Sequence, residues 1–430
     1  MTEHPFRKPT VTSVPADRSV WPLLASTAIL YAAFGLIYGL MQGGLPPLLR
    51  ARGVDLASIG WSFIVLVPFG LTFLWAPLID AVRPLPSAPR IGWIVPMQAI
   101  IVVLLLIVAR GETFPPALLL GLGLGIAFAA ATMDVALDAF STSCVPPPHR
   151  TAAGGLKVAA LALGSILGGG VFVACAGRLG WAATFDICAA VSVFATIPIL
   201  LNRSWDRNAT GTERGRPDIL AILRRPETRH RMALLTLTTC AMVALSFFNR
   251  VMLVDLGVPV ETIGGIVGTA APGLGLLASL AAVPLVRRIG GRAGVAIFAS
   301  LCLVATIAMF LGVWRRDSLP ALIGATVMNA GTSGIFVILS ASTLGWAQGR
   351  QPATDYAVLY GASRLVATLL LIALAQVVVH IGWPAFYIGA GLALVLATLL
   401  LRRALPDLRT AGDGIPSHPS GTAPHDIRGG

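Results

Sequence analysis

Apolar residues run through this chain in long blocks separated by short charged or proline-bearing punctuation. Twelve such blocks begin near Trp21, Leu56, Ile91, Pro116, Ala152, Trp181, Ala233, Val260, Ala293, Leu319, Tyr356 and Pro384. Each is long enough to cross a hydrocarbon layer of about 30 Å, which takes roughly 20 residues of helix. They lack the alternation of a lipid-facing barrel strand, and backbone amides in lipid must be paired within the segment, so the blocks are predicted to be helices. The run from Trp21 is longer than a signal-peptide core and no small-residue cleavage site follows it, so it reads as a retained first span.

Composition agrees. Hydrophobic residues make up 56% of the 430 residues and charged ones 12%, against about 25% charged in soluble domains. Mean hydropathy is +0.82. A soluble enzyme of this length would need about three domains, and these few charges could not cover their surfaces. The net charge of +12 raises the question of nucleic acid, but the placement of the basic residues answers it. Of the 31 Lys and Arg, 22 fall on the side of the N-terminus, six in the opposite loops and three (Lys157, Arg250 and Arg364) inside spans. The basic charge is therefore topological, no nucleic-acid partner is expected, and both termini are predicted to be cytoplasmic. Five cysteines show no C-x-x-C spacing, so neither a disulfide framework nor a zinc site is expected.

The chain also repeats itself. Gly53-Val54-Asp55-Leu56-Ala57-Ser58-Ile59-Gly60 and Gly257-Val258-Pro259-Val260-Glu261-Thr262-Ile263-Gly264 match at an offset of 204 residues, which Pro68 and Pro272 share. Gly154-x-x-Lys157 is echoed by Gly361-x-x-Arg364. The prediction is an all-α membrane protein of twelve transmembrane helices in two pseudo-symmetric six-helix bundles, the architecture of transporters. The expected division is a cytoplasmic tail (1–20), a first bundle (21–201), a central cytoplasmic loop (202–231), a second bundle (232–401) and a disordered cytoplasmic tail (402–430).

With the twelve spans and the central loop, Leu78-Ile79-Asp80-Ala81-Val82-Arg83 after the second span resembles the major facilitator superfamily, although the leading Gly and adjacent Arg of the family's loop are missing. Phe73-Leu74-Trp75-Ala76-Pro77-Leu78-Ile79-Asp80, Met133-Asp134-Val135-Ala136-Leu137-Asp138-Ala139 and Thr354-Asp355-Tyr356-Ala357-Val358-Leu359 resemble the branch of the AmpG-type muropeptide permeases and the RhtX- and FptX-type siderophore permeases. The resemblance implies the major facilitator fold and a secondary transporter in a bacterial inner membrane.

Asp134 and Asp138 stand one turn apart on the fourth span and share a face. Ionisable residues within a span are functional candidates, since charge there costs roughly 2.5–3.5 kcal/mol or more. Two readings stand: the pair carries protons or substrate coupling, or it reaches the interface and braces the loop to Arg150. Lys157 on the fifth span is placed at similar depth, and an ion pair with Asp134 is expected. Arg364 has no obvious carboxylate on the tenth span, whose polar residue is Asn329, so either an anionic ligand serves it or it snorkels to the interface. Asn249 and Arg250 on the seventh span, with Tyr38 and Gln42 on the first, are candidates for an outward mouth, Arg250 alternatively being an interface anchor. Gln42-Gly43-Gly44-Leu45-Pro46-Pro47 is expected to unwind the first span there. Asp80, Arg83, Arg287 and Arg288 read as cytoplasmic gate residues.

The glycines at 121, 123 and 125 and at 168–170 lack a preceding strand and a phosphate-loop Lys, so helix packing is expected. No catalytic triad or metal cluster stands out and His380 is alone, so no enzyme activity, metal or cofactor is expected. Without an ATP-binding motif the energy source is an ion gradient, most simply protons. The resulting expectation is a monomeric symporter that imports a small molecule, first a ferric siderophore. The alternatives are a muropeptide or another amphipathic anion on the same fold, or a non-transporting membrane receptor.

Overall fold

The computed structural model describes residues 20–146, 149–208, 224–346 and 352–405. Eleven stretches within them are helical, long and apolar enough to cross a membrane. The last, Val358–Ala404, is two helices, because Gly382 breaks it with φ 74° and ψ 167°. Twelve spans result: α1 (Trp21–Ala51), α2 (Leu56–Ile79), α3 (Ile91–Ala109), α4 (Pro116–Cys144), α5 (150–179), α6 (181–201), α7 (Pro226–Asp255), α8 (Val260–Ile289), α9 (Gly291–Arg315), α10 (Ser318–Trp346), α11 (352–381) and α12 (383–404). This is the predicted all-α membrane fold.

The helix starts follow local chemistry. Asp55 takes an extended conformation and its carboxylate accepts the Ser58 amide at 2.9 Å, capping α2. Those bonds hold the Asp55 carboxyl below its ordinary value. Pro116 and Pro226 occupy first-turn positions of α4 and α7, where no backbone donor is required. Because Pro226 starts the helix, α7 begins inside the segment read as the central loop, with Glu227 and Arg231 3.7 Å apart across its first turns. The tails and half of that loop, 1–19, 209–223 and 406–430, lie outside the described residues.

The duplication has a backbone signature. Gly53 and Gly257, which open the repeated octapeptides, have φ of 84° and 79°. Gly180, between α5 and α6, has φ 76° and ψ 170°, nearly the geometry of Gly382 between α11 and α12. A tryptophan follows each of the second pair, Trp181 and Trp383.

The first span is not unwound at Gln42–Pro47, correcting the expectation. Leu40–Gly44 forms a π turn and Leu45–Ala51 continues as α-helix. Pro46 and Pro47 fall in the first turn of that continuation, where their missing N–H groups break little of the ladder. Two more π turns occur, Leu167–Val171 in α5 and Ile263–Val267 in α8.

Glycines let α1 and α5 touch backbone to backbone. A methyl group at Gly35, Gly164 or Gly168 would fall 2.5, 2.0 or 1.9 Å from a carbonyl oxygen of the facing helix. The expected packing role holds for Gly168 and Gly170 but fails for Gly121, whose Cβ position meets nothing within 4 Å.

The chain forms two compact units whose boundary crosses α1, α2 and α5. One contains α1 through Met41, Leu74–Gly168 and the chain from Cys175 through α6. The other contains Gln42–Phe73, Gly169–Ala174 and all of α7 to α12. The end at which α1 starts is called the near end below, and the end at which it finishes the far end.

Candidate functional site

In the first unit, α1, α4 and α5 converge on one carboxylate. Asp138 Oδ1 accepts a hydrogen bond from the Tyr31 hydroxyl at 2.5 Å and a charged one from Lys157 Nζ. Lys157 Nζ also stands 4.0 Å from Asp134 Oδ1 and 4.8 Å from the centre of the Tyr31 ring. Ser141 Oγ lies 3.3 Å from the Tyr31 hydroxyl. The side chains of Lys157, Asp134 and Asp138 keep 29%, 27% and 47% exposure, so the set is only partly buried by protein.

The ion pair between α4 and α5 is present: the expected contact with Asp134 is made at 4.0 Å, and Asp138 is the nearer partner. Lys157 is seven residues from Arg150 at the start of α5 and Asp138 six from Cys144 at the end of α4. At 1.5 Å per residue both lie about 10 Å into their helices, while Asp134 lies about 15 Å in. Tyr31 went unrecognised in the sequence. Its signal is faint, because a tyrosine within an apolar run is ordinary until a carboxylate faces its hydroxyl.

One ammonium and two carboxylates carry a formal charge of −1 when all three are ionised, and one added proton makes the set neutral. The Tyr31 hydroxyl and the Lys157 ammonium both donate to Asp138, and Asp134 lies farther from the ammonium.

In the second unit the polar candidates spread over several helices. Arg364 on α11 places its guanidinium carbon 5.3 Å from the centre of the Phe69 ring of α2. Asn249 is buried in α7, and its Nδ2 reaches the Ala325 carbonyl of α10 at 3.5 Å. Asn329, one turn further along α10, faces Gly275 of α8, where a methyl group would stand 3.2 Å from its Nδ2. Gln42 lies in the π turn of α1. Tyr38, whose ring stacks on Phe34 at 6.0 Å, belongs to the first unit.

Arg250 has backbone partners. Its Nη1 donates to the Gly43 carbonyl at 2.7 Å and to the Gly169 carbonyl at 2.8 Å. Toward the far end, Arg50 Nε meets Asp255 Oδ1 at 2.5 Å, Trp383 Nε1 donates to Asp255 Oδ2 at 2.9 Å, and Gln376 Nε2 donates to the Ala57 carbonyl at 2.9 Å. These contacts join the far ends of α1 and α2 to α7, α11 and α12. The sequence reading placed Arg50 among loop charges and gave Asp255 no role.

Of the gate candidates, Arg83 is exposed in the first unit, Arg287 and Arg288 are exposed in the second, and the Asp80 side chain lies outside the described residues. A second carboxylate organises the near end of the first unit. Asp206 Oδ2 accepts the amides of Arg90 and Ile91 at 2.8 and 2.9 Å, at the start of α3. Burial raises its carboxyl above the ordinary value against the opposing pull of those two amides and of Arg90.

The profile of the Major Facilitator Superfamily matches residues 23–314. Among curated proteins, the anhydromuropeptide permease of Escherichia coli K12 is 32% identical over 184 residues, 42% of this chain and 37% of that protein. An uncharacterized protein of Haemophilus influenzae is 28% identical over 170 residues, 38% of this chain and 39% of that one. The putative transporter AmpG 4 of Rickettsia felis is 26% identical over 161 residues, 35% of this chain and 38% of its own. The chain thus matches less than two fifths of the length of each relative. Among solved structures, a POT family transporter in complex with 5-aminolevulinic acid superposes with a TM-score of 0.71 at 11% identity, covering 88% of this chain and 95% of that one, a likeness of fold.

Proposed function

This chain belongs to the Major Facilitator Superfamily and carries the long apolar helices of a multi-pass membrane protein, and we propose that it is a transporter that imports a muropeptide, or an amphipathic anion close to one, across a bacterial inner membrane with protons as the driving ion. The cargo reading rests on the 32% identity to the anhydromuropeptide permease. It displaces the siderophore expected first from the sequence, because the relative with an assigned cargo carries muropeptide in its name.

The single observation that carries the coupling is the arrangement of Lys157 between two carboxylates of α4. A set whose charge changes from −1 to 0 with one proton is costly to move through a low-dielectric environment in one form and far less costly in the other. Asp134 is assigned the coupling proton, and Lys157 and Tyr31 anchor Asp138. In the second unit Arg364 supplies a permanent cation for the cargo's carboxylate, with Asn249, Asn329 and Gln42 as further polar candidates, and Tyr38 is one in the first unit. Asp80 and Arg83 are gate candidates of the first unit, and Arg287 and Arg288 of the second. The 22-to-6 distribution of basic residues orients the near end to the cytoplasm.

Proteoliposomes given a pH gradient test both halves of this reading. The wild type should accumulate labelled anhydromuropeptide. Asp134→Asn should lose gradient-driven accumulation and keep exchange of the same solute without a gradient. Absence of any exchange by the wild type overturns the cargo, and undiminished accumulation by Asp134→Asn overturns the proton site.

A further inference from the structure

Arg250 is a permanently charged side chain five residues before the end of α7, and its hydrogen-bond acceptors are carbonyls on two other helices. Both carbonyls, of Gly43 and Gly169, belong to π turns, Leu40–Gly44 of α1 and Leu167–Val171 of α5. A π turn carries one residue more than the α-helical repeat, which puts a carbonyl out of step with the regular ladder and frees it for an outside donor. We infer that Arg250 is the positioning residue that holds the far ends of α1 and α5 against α7 in this arrangement, and that transport requires its two carbonyl bonds to break and re-form.

Three features support the assignment. The seat fits an arginine closely: a methyl group at Gly43 would lie 2.1 Å from Nη1, and the neighbouring glycines 170 and 268 bring the backbones of α5 and α8 together. The acceptors are neutral dipoles. A guanidinium partly withdrawn from water gains only part of its hydration back from two carbonyls, so this arrangement is held without being overwhelmingly favoured. A carboxylate in their place would hold far harder. Finally, the boundary between the two compact units crosses α1 next to Gln42 and α5 next to Gly169, at the same two π turns. A helix turn whose hydrogen bonds are already irregular is where a span bends at least cost.

The inference requires that the chain is a transporter and does not depend on muropeptide being the cargo. Hydrogen–deuterium exchange on the purified protein in nanodiscs, without cargo, tests it. Arg250→Met removes the donors at similar length, Gly43→Ala displaces the guanidinium with Arg250 intact, and Arg250→Lys keeps the charge with a single donor centre. Peptides covering 40–47 and 167–174 should exchange about tenfold faster or more in Arg250→Met and Gly43→Ala, with an intermediate rate in Arg250→Lys and none of the change reaching α9. Wild-type rates in either peptide of a folded Arg250→Met protein would overturn the inference. So would acceleration spread evenly over all helices, the signature of general destabilisation.

Discussion

Lys157 binds Asp138 and stands 4.0 Å from Asp134, so a single ammonium on α5 divides its charge unequally between two carboxylates one turn apart on α4. Asp138 is the closer tie between α4 and α5, and Asp134 is the looser partner.

A double-mutant cycle should reproduce that order. Lys157→Ala with Asp138→Asn should show a coupling of about 1 kcal/mol in thermal stability, modest because these side chains are partly exposed. The cycle of Lys157→Ala with Asp134→Asn should give a smaller value. Equal or reversed couplings would mean that Asp134 is the anchor.

Asp206 ties the start of α3 to the segment that follows α6, and its titration has a definite sign. Burial raises its carboxyl above the ordinary 3.8, so the folded protein holds this proton more tightly than the unfolded chain. The associated stability is fully present below that ordinary value and is lost as pH rises through the higher folded one. Asp206→Asn keeps an acceptor for the two amides. The wild-type melting temperature should therefore exceed that of Asp206→Asn most near about pH 4 and lose the advantage toward neutrality. Asp206→Ala removes the acceptor and should cost about 1 kcal/mol at neutral pH. An advantage that grows with pH would show the carboxylate to be stabilised in its charged form.

Gly180 and Gly382 turn the chain with backbone angles that only glycine adopts readily, and neither meets a close neighbour at its Cβ position. Gly180→Ala and Gly382→Ala should each cost about 1–3 kcal/mol by backbone strain alone. Gly154→Ala, in α5 with ordinary helical angles and nothing within 4 Å, should be neutral or stabilising by about 0.5–1 kcal/mol. Melting curves in detergent that rank all three alike would remove the strain argument.

Reporter fusions decide the orientation. Fusions after Asp206 and near the C-terminus should both report a cytoplasmic location, as the basic asymmetry demands. A periplasmic signal at either point would reverse the sidedness of every gate described above.

The sequence by itself determined the spans, their number, the duplication and the grouping of charge on α4 and α5. Hydropathy is a sum along the chain against one solvent, and twelve apolar blocks cannot be folded in many ways in lipid. The tertiary structure alone decided who meets whom. Lys157 took Asp138 because the helix ends put the two at one depth, and Tyr31 joined them only because α1 turns its hydroxyl that way. Arg250 reads in the sequence as part of an outward mouth or as an interface anchor, and in the fold it meets two carbonyls within π turns. A π turn adds a residue without changing composition, yet it rotates every side chain beyond it by about a quarter turn or more. Asp255 likewise stood unremarked at the end of a helix until the fold carried Arg50 and Trp383 to its two oxygens. Contacts between helices depend on that rotation and on how close glycines let the backbones approach, and neither quantity is written in the order of apolar and polar residues.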